Sequence, residues 1–190
     1  VRVVEAIPLN GTPATGVLTI VQADFGDGSS DAYLLPLSWA SGAEAFQLQQ
    51  VSPQSVIAPL HLKKKGVPVE GVLIDAIEDV RFDSVLLAMI LRRRSWRGGS
   101  GELVADSTRV LREIVHGEEA TLAPVLLRTP QRNHCIRFGN QLLLKLYRRL
   151  QPGLNPDIEI VRFLSDQAAH AHTPQLAGSI DYQPTKGPAA

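Results

Sequence analysis

A single lysine interrupts the apolar stretch Gln141-Leu142-Leu143-Leu144-Lys145-Leu146-Tyr147. Period-two alternation places Leu142, Leu144 and Leu146 on one face of a strand and Leu143, Lys145 and Tyr147 on the other. An ammonium buried without a partner is costly. The lysine therefore snorkels, protects an exposed edge, or faces a carboxylate. The next segment supplies acids. Asn155-Pro156-Asp157 is a strong helix start: a capping side chain, a proline at the first helical position and an acid at the positive dipole end. Glu159 falls in the first turn or just beyond it. Ile160, Phe163, Leu164 and Gln167 run down the neighbouring face.

The remainder of the chain predicts an α+β protein in two parts, a domain over residues 1–118 and a second over 119–190. Residues 1–9, 16–25 and 31–37 read as an antiparallel meander, broken by Asn10-Gly11-Thr12-Pro13 and by the glycine, aspartate and serine turn at 26–30. Residues 40–54 form a loop or short helix. Two further strands, 55–62 and 67–75, are joined at Lys63-Lys64-Lys65-Gly66. A helix spans about 79–94, with Val80, Asp83, Leu86 or Leu87, and Ile90 or Leu91 at helical spacing, and Gly98-Gly99 ends it. The sheet is expected to wrap against that helix and bury Leu86, Leu87 and Ile90. A strand at 101–105 and a helix at 107–116 lead to a boundary at Gly117-Glu118-Glu119. Strands at 122–128, 135–138 and 141–147 follow, with a tight Gly139-Asn140 hairpin turn. A helix at 156–168 and a strand at 175–183 complete the second part.

Composition narrows the function. Formal net charge is zero, with 19 basic and 19 acidic residues, so nothing in the overall charge argues for nucleic acid or an anionic membrane. No apolar run reaches the roughly 20 residues of a membrane span. Cys135, the single cysteine, cannot form an internal disulfide and points to a reducing, cytoplasmic setting. The chain starts without Met and ends in a flexible-looking stretch, which reads as a piece of a longer protein. Arg92-Arg93-Arg94 before Trp96-Arg97 is the cationic helix end that the dipole favours. His116-Gly117-Glu118 precedes the lysine and so cannot be a kinase catalytic loop, and His170, His172 and Asp166 read as solvent-facing groups. No nucleophile-elbow spacing occurs.

A strand lysine followed by a helix glutamate is how protein kinases hold ATP phosphates, the glutamate orienting the lysine. Residues 140–164, NQLLLKLYRRLQPGLNPDIEIVRFL, closely resemble a segment of bacterial maltokinases, both stand-alone and fused behind trehalose synthase. Ala177-Gly178-Ser179-Ile180 resembles the family's next strand. Leu35-Pro36-Leu37 and Asp75-Ala76 resemble its cap domain. The resemblance implies a cystatin-like cap followed by a kinase N-lobe similar to that of aminoglycoside phosphotransferases. It also implies phosphorylation of maltose by ATP and Mg2+, giving maltose 1-phosphate in trehalose and α-glucan metabolism. Maltose is expected to meet the catalytic C-lobe beyond residue 190, where the catalytic aspartate and Mg2+ ligands also belong, so residues 1–190 alone are expected to be inactive. A trehalose synthase domain or partner is a further expectation.

Within that resemblance Lys145 matches the ATP-phosphate lysine and Glu159 its helix partner, expected within about 4 Å in an active-like arrangement or somewhat further in a relaxed one. Residues 131–135 match the phosphate-covering turn, which makes Asn133, Arg132 and His134 cofactor-binding candidates. The family carries small hydroxyl residues around this asparagine. Arg132, His134 and Cys135 are bulkier and hold backbone N–H groups away from phosphate, although Arg132 brings a charge of its own. The alternative reading is a non-catalytic kinase-like module that serves as an interaction unit.

Overall fold

The computed structural model describes residues 1–9, 16–64, 66–115, 122–128, 133–166 and 173–185. The turn at Asn10 to Pro13, the boundary near 117–119, Arg132, and His170 with His172 lie outside the described residues. The chain is mixed α+β, and every strand pairing among the described residues is antiparallel.

The largest sheet begins as the expected meander of β1 (Arg2–Leu9), β2 (Gly16–Asp24) and β3 (Ser30–Ser41). The turn between β2 and β3 closes because Asp27 Oδ1 accepts from the Ser29 N–H at 2.9 Å and the Ser29 hydroxyl at 2.6 Å, while Gly28 takes φ +83°. Residues 40–54, ambiguous in sequence, yield the end of β3 and a helix, α1 (Gly42–Val51), before β4 (Val56–Lys64) and β5 (Val67–Asp75). The order is β1-β2-β3-β5-β4, and β11 (Arg149–Leu150) adds to β3 from far along the chain.

Helix α2 (Val80–Leu91) starts where the Asp79 carboxylate accepts from the Arg81 N–H at 2.9 Å. Phe82, Asp83, Leu86, Leu87, Met89 and Ile90 are buried, whereas Val80 is exposed. The inward stripe therefore begins at Phe82, two residues later than its sequence spacing suggests. The helix ends on Arg93 rather than on Gly98-Gly99. Arg93 has φ +48°; its N–H reaches the Ile90 carbonyl at 3.1 Å, and the Arg94 N–H reaches that of Met89 at 3.0 Å. The left-handed turn holds because Arg93 donates to the Ser107 hydroxyl at 3.0 Å and the Ser107 carbonyl at 2.5 Å.

Beyond it, β6 (Ser95–Arg97) and β7 (Gly101–Ser107) form a hairpin, and α3 (Arg109–Val115) follows. Gly98 serves this hairpin by leaving room for Glu5. A Cβ there would lie 2.5 Å from the Glu5 carboxyl, which is 4% exposed as a residue. Glu5 accepts from the N–H groups of Ser100 at 2.7 Å, Ala6 at 2.8 Å and Gly99 at 2.9 Å, and from the Tyr182 hydroxyl at 3.3 Å.

The second part supplies a three-stranded sheet, β10 (Leu142–Leu146), β9 (His134–Phe138) and β8 (Pro124–Leu127), then α4 (Pro156–Asp166) and β12 (Gly178–Pro184). Strand β12 pairs with β7 along its whole length. One apolar core runs through both parts: Ile7, Leu18 and Ile20 of the large sheet, Phe82, Leu86 and Met89 of α2, and Ile136, Phe138 and Leu146 of the small sheet. Each such side chain contributes about 1.5–3 kcal/mol on burial. No helix among the described residues is long and apolar enough to cross a membrane.

Candidate functional site

The β10 register places Lys145 opposite Cys135 and Leu146 opposite His134. Leu142, Leu144 and Leu146 pack on the core, while Leu143 is exposed. Lys145, with a side chain 38% exposed, shares the outer face with Leu143, Val125 and Leu127.

Helix α4 approaches that face with its first turn. The Asn155 side chain caps it, accepting from the Asp157 N–H at 2.9 Å. This fixes the Asp157 carboxylate, which accepts from the Lys145 ammonium and, at 2.9 Å, from the Tyr147 hydroxyl. The ammonium also lies 4.9 Å from the centre of the Tyr147 ring. Hydrogen bonding to Asp157 raises the Lys145 pKa against the opposing effect of burial. The same bond, with that of Tyr147, lowers the pKa of Asp157.

The expected Lys145–Glu159 pair is replaced by this one. Glu159 is exposed and makes no ion pair with Lys145. At 3.6 residues per turn, two positions along a helix rotate a side chain by about 200°. With Asp157 turned to the strand, Glu159 points away from it.

The four candidates among the described residues, Lys145, Glu159, Asn133 and His134, do not converge. His134 lies one residue along β9 from the partner of Lys145, so alternation puts it on the opposite, inward side. There its Nδ1 accepts from the Arg148 Nε–H at 3.1 Å, and with Asn133 it lines a cavity between the two sheets. Burial, then the positive charge of Arg148, lowers its pKa. The imidazole is neutral with Nδ1 as acceptor, which leaves the proton on Nε2.

Sequence reasoning missed the groups that build this inner side. Arg148 pairs with Asp75 at the end of β5, and its carbonyl accepts from the Leu34 N–H at 2.7 Å. Arg128 pairs with Glu78 at 2.6 Å. Behind them Asp83, 1% exposed, leaves Oδ1 without a partner among the described residues. Burial, then the charges of Asp79, Glu78 and Asp75, pushes its pKa up to about 8. Asp83 is therefore protonated at neutral pH. The available signal was chemical: Asp75 closes one apolar strand and Arg148 follows another, and charges so placed call for partners.

No model of a known protein family matches the chain.

Proposed function

We propose that the chain is the cap and N-lobe of an ATP-dependent maltokinase, whose reaction transfers the γ-phosphoryl group of ATP to the anomeric hydroxyl of maltose. The observation that carries this reading is Lys145: a lysine on the third strand of a small antiparallel sheet, paired with an acid in the first turn of the next helix. Within the reading, Asp157 takes the orienting role that the resemblance gives to Glu159. The residues on the outer face fit a nucleotide. Val125 and Leu143 are exposed apolar surface for a base, and the ammonium is placed to neutralise phosphate. ATP brings the transferable group; the chain's own part is to bind and orient it. A cystatin-like cap, an N-lobe similar to that of aminoglycoside phosphotransferases and a cytoplasmic location belong to the same proposal. So do the Mg2+ ligands and maltose-binding lobe expected beyond residue 190.

The test is maltose phosphorylation by the longer protein with and without Lys145→Ala. The reading expects kcat/KM to fall by about 100-fold or more, and unchanged turnover would overturn it. One observation favours a second reading, a non-catalytic kinase-like interaction module: the Lys145 charge is already neutralised by Asp157, while Asn133 and His134 face the cavity. An inactive longer protein that retains its downstream aspartates would favour that reading.

A further inference from the structure

The cavity between the large and small sheets has a volume of about 460 Å³, within the range of small-molecule sites. Its walls come from both parts of the chain. Gln54, Asp75 and Glu78 face it from one side, and Arg128, Asn133 and His134 from the other, with Ile77 and Leu126 between.

The charges in these walls cancel. Asp75 is matched by Arg148 and Glu78 by Arg128. An added anion would meet two carboxylates and two arginines already engaged, and an added cation would meet the reverse. Gln54 is exposed and Asn133 half-buried, and an apolar ligand would cover their amides without bonding them, at about 1–3 kcal/mol each. The Gln54 and Asn133 side-chain amides have no hydrogen-bond partner among the described residues, and each offers both donors and an acceptor. His134 adds an Nε2–H donor, because Arg148 occupies its Nδ1. The carboxylate oxygens of Asp75 and Glu78 have lone pairs beyond those given to arginine.

Donors and acceptors thus both line an electrically balanced cavity. Hydroxyl groups, each at once donor and acceptor, satisfy such a set. We propose that this cavity binds a neutral carbohydrate of mono- or disaccharide size, bridging Gln54, in the turn before β4, and Asp75 at the end of β5 to Asn133 and His134 at the start of β9. The proposal does not depend on nucleotide binding at Lys145, which faces the other side of the small sheet. A ligand that bridges the sheets binds the folded state alone and stabilises their junction.

The experiment is a titration of the 190-residue chain with maltose, glucose and inorganic phosphate in separate arms, without ATP. NMR follows the side-chain amides of Gln54 and Asn133 and the His134 ring, and thermal unfolding follows stability. Saturable shifts at these three residues with at least one sugar, at a Kd in roughly the millimolar range, are expected, with a Tm that rises with sugar concentration. The double variant Q54A/N133A should keep the unliganded Tm, since neither amide holds the fold, and bind the sugar at least about tenfold more weakly. Non-saturating shifts with both sugars overturn the proposal. So do saturable binding of phosphate at the same residues and sugar affinity unchanged in Q54A/N133A.

Discussion

Lys145 and Asp157 meet across the gap between β10 and α4, the ammonium donating to a carboxylate that the Asn155 cap has already oriented. Both side chains are more than one-third exposed, so the pair anchors the helix end more than it stabilises the protein. Asp157→Ala should destabilise by about 0.5–1.5 kcal/mol, counting the exposed pair and the lost dipole interaction. Glu159→Ala should stay within about 0.5 kcal/mol of the parent. Chemical denaturation of both variants checks the asymmetry. The Asp157 pKa is lowered in the fold, so its contribution is complete above the ordinary aspartate range and is lost as pH falls through the folded value.

Arg148 and Asp75 form a less exposed pair, with side chains 15% and 27% exposed. Arg148→Ala leaves Asp75 without its cation and should cost about 1–3 kcal/mol. It also removes a positive charge from beside His134, whose pKa should rise in an NMR titration. A double-mutant cycle with Asp75→Ala should show coupling of at least about 0.5 kcal/mol.

Much of this arrangement was legible in sequence. The Asn155-Pro156-Asp157 start, the Gly139-Asn140 hairpin and the alternation through Lys145 are local signals, and local hydrogen bonding decides them. What was not legible depends on distant partners. Arg149–Leu150 is too short for any periodicity and becomes a strand only because β3 offers an edge. Arg93 closes α2 because Ser107, 14 residues away, receives its guanidinium. The choice between Asp157 and Glu159 turned on helix rotation, which spacing from a strand residue does not define. The same alternation that identified the Lys145 face placed His134 on the other one, a consequence the grouping of candidate residues by turn overlooked.

Asp83 makes stability depend on pH. Its folded pKa of about 8 lies above an unfolded value of about 4. Between these values the folded state holds the extra proton, so stability falls as pH rises across the window. Asp83→Asn, isosteric with the neutral acid, should remove that slope. The variant should gain on the order of 2–5 kcal/mol over the parent by pH 8 and nothing below pH 4. Denaturation midpoints at several pH values measure it.

Gly98 and Glu5 define a close approach that tolerates no side chain. Burial alone would raise the Glu5 pKa, but hydrogen bonds from Ser100, Ala6, Gly99 and Tyr182 outweigh it and hold the carboxyl below its ordinary value. Gly98→Ala should destabilise by about 1–3 kcal/mol through displacement of that carboxylate. Glu5→Gln should cost a similar amount, and the two losses should not add, because both break the same hydrogen bonds. Thermal unfolding of the single and double variants decides it.

The central claim is that the outer face of the small sheet receives ATP through Lys145. The most direct measurement is an NMR titration of the 190-residue chain with Mg-ATP, beside the Lys145→Ala variant. The account predicts weak saturable binding, with shifts centred on Leu127, Cys135, Leu143 and Lys145, and at least about tenfold weaker binding in the variant. Shifts centred on Asn133 and His134, equal affinity in both proteins, or no saturable shift in either would contradict it.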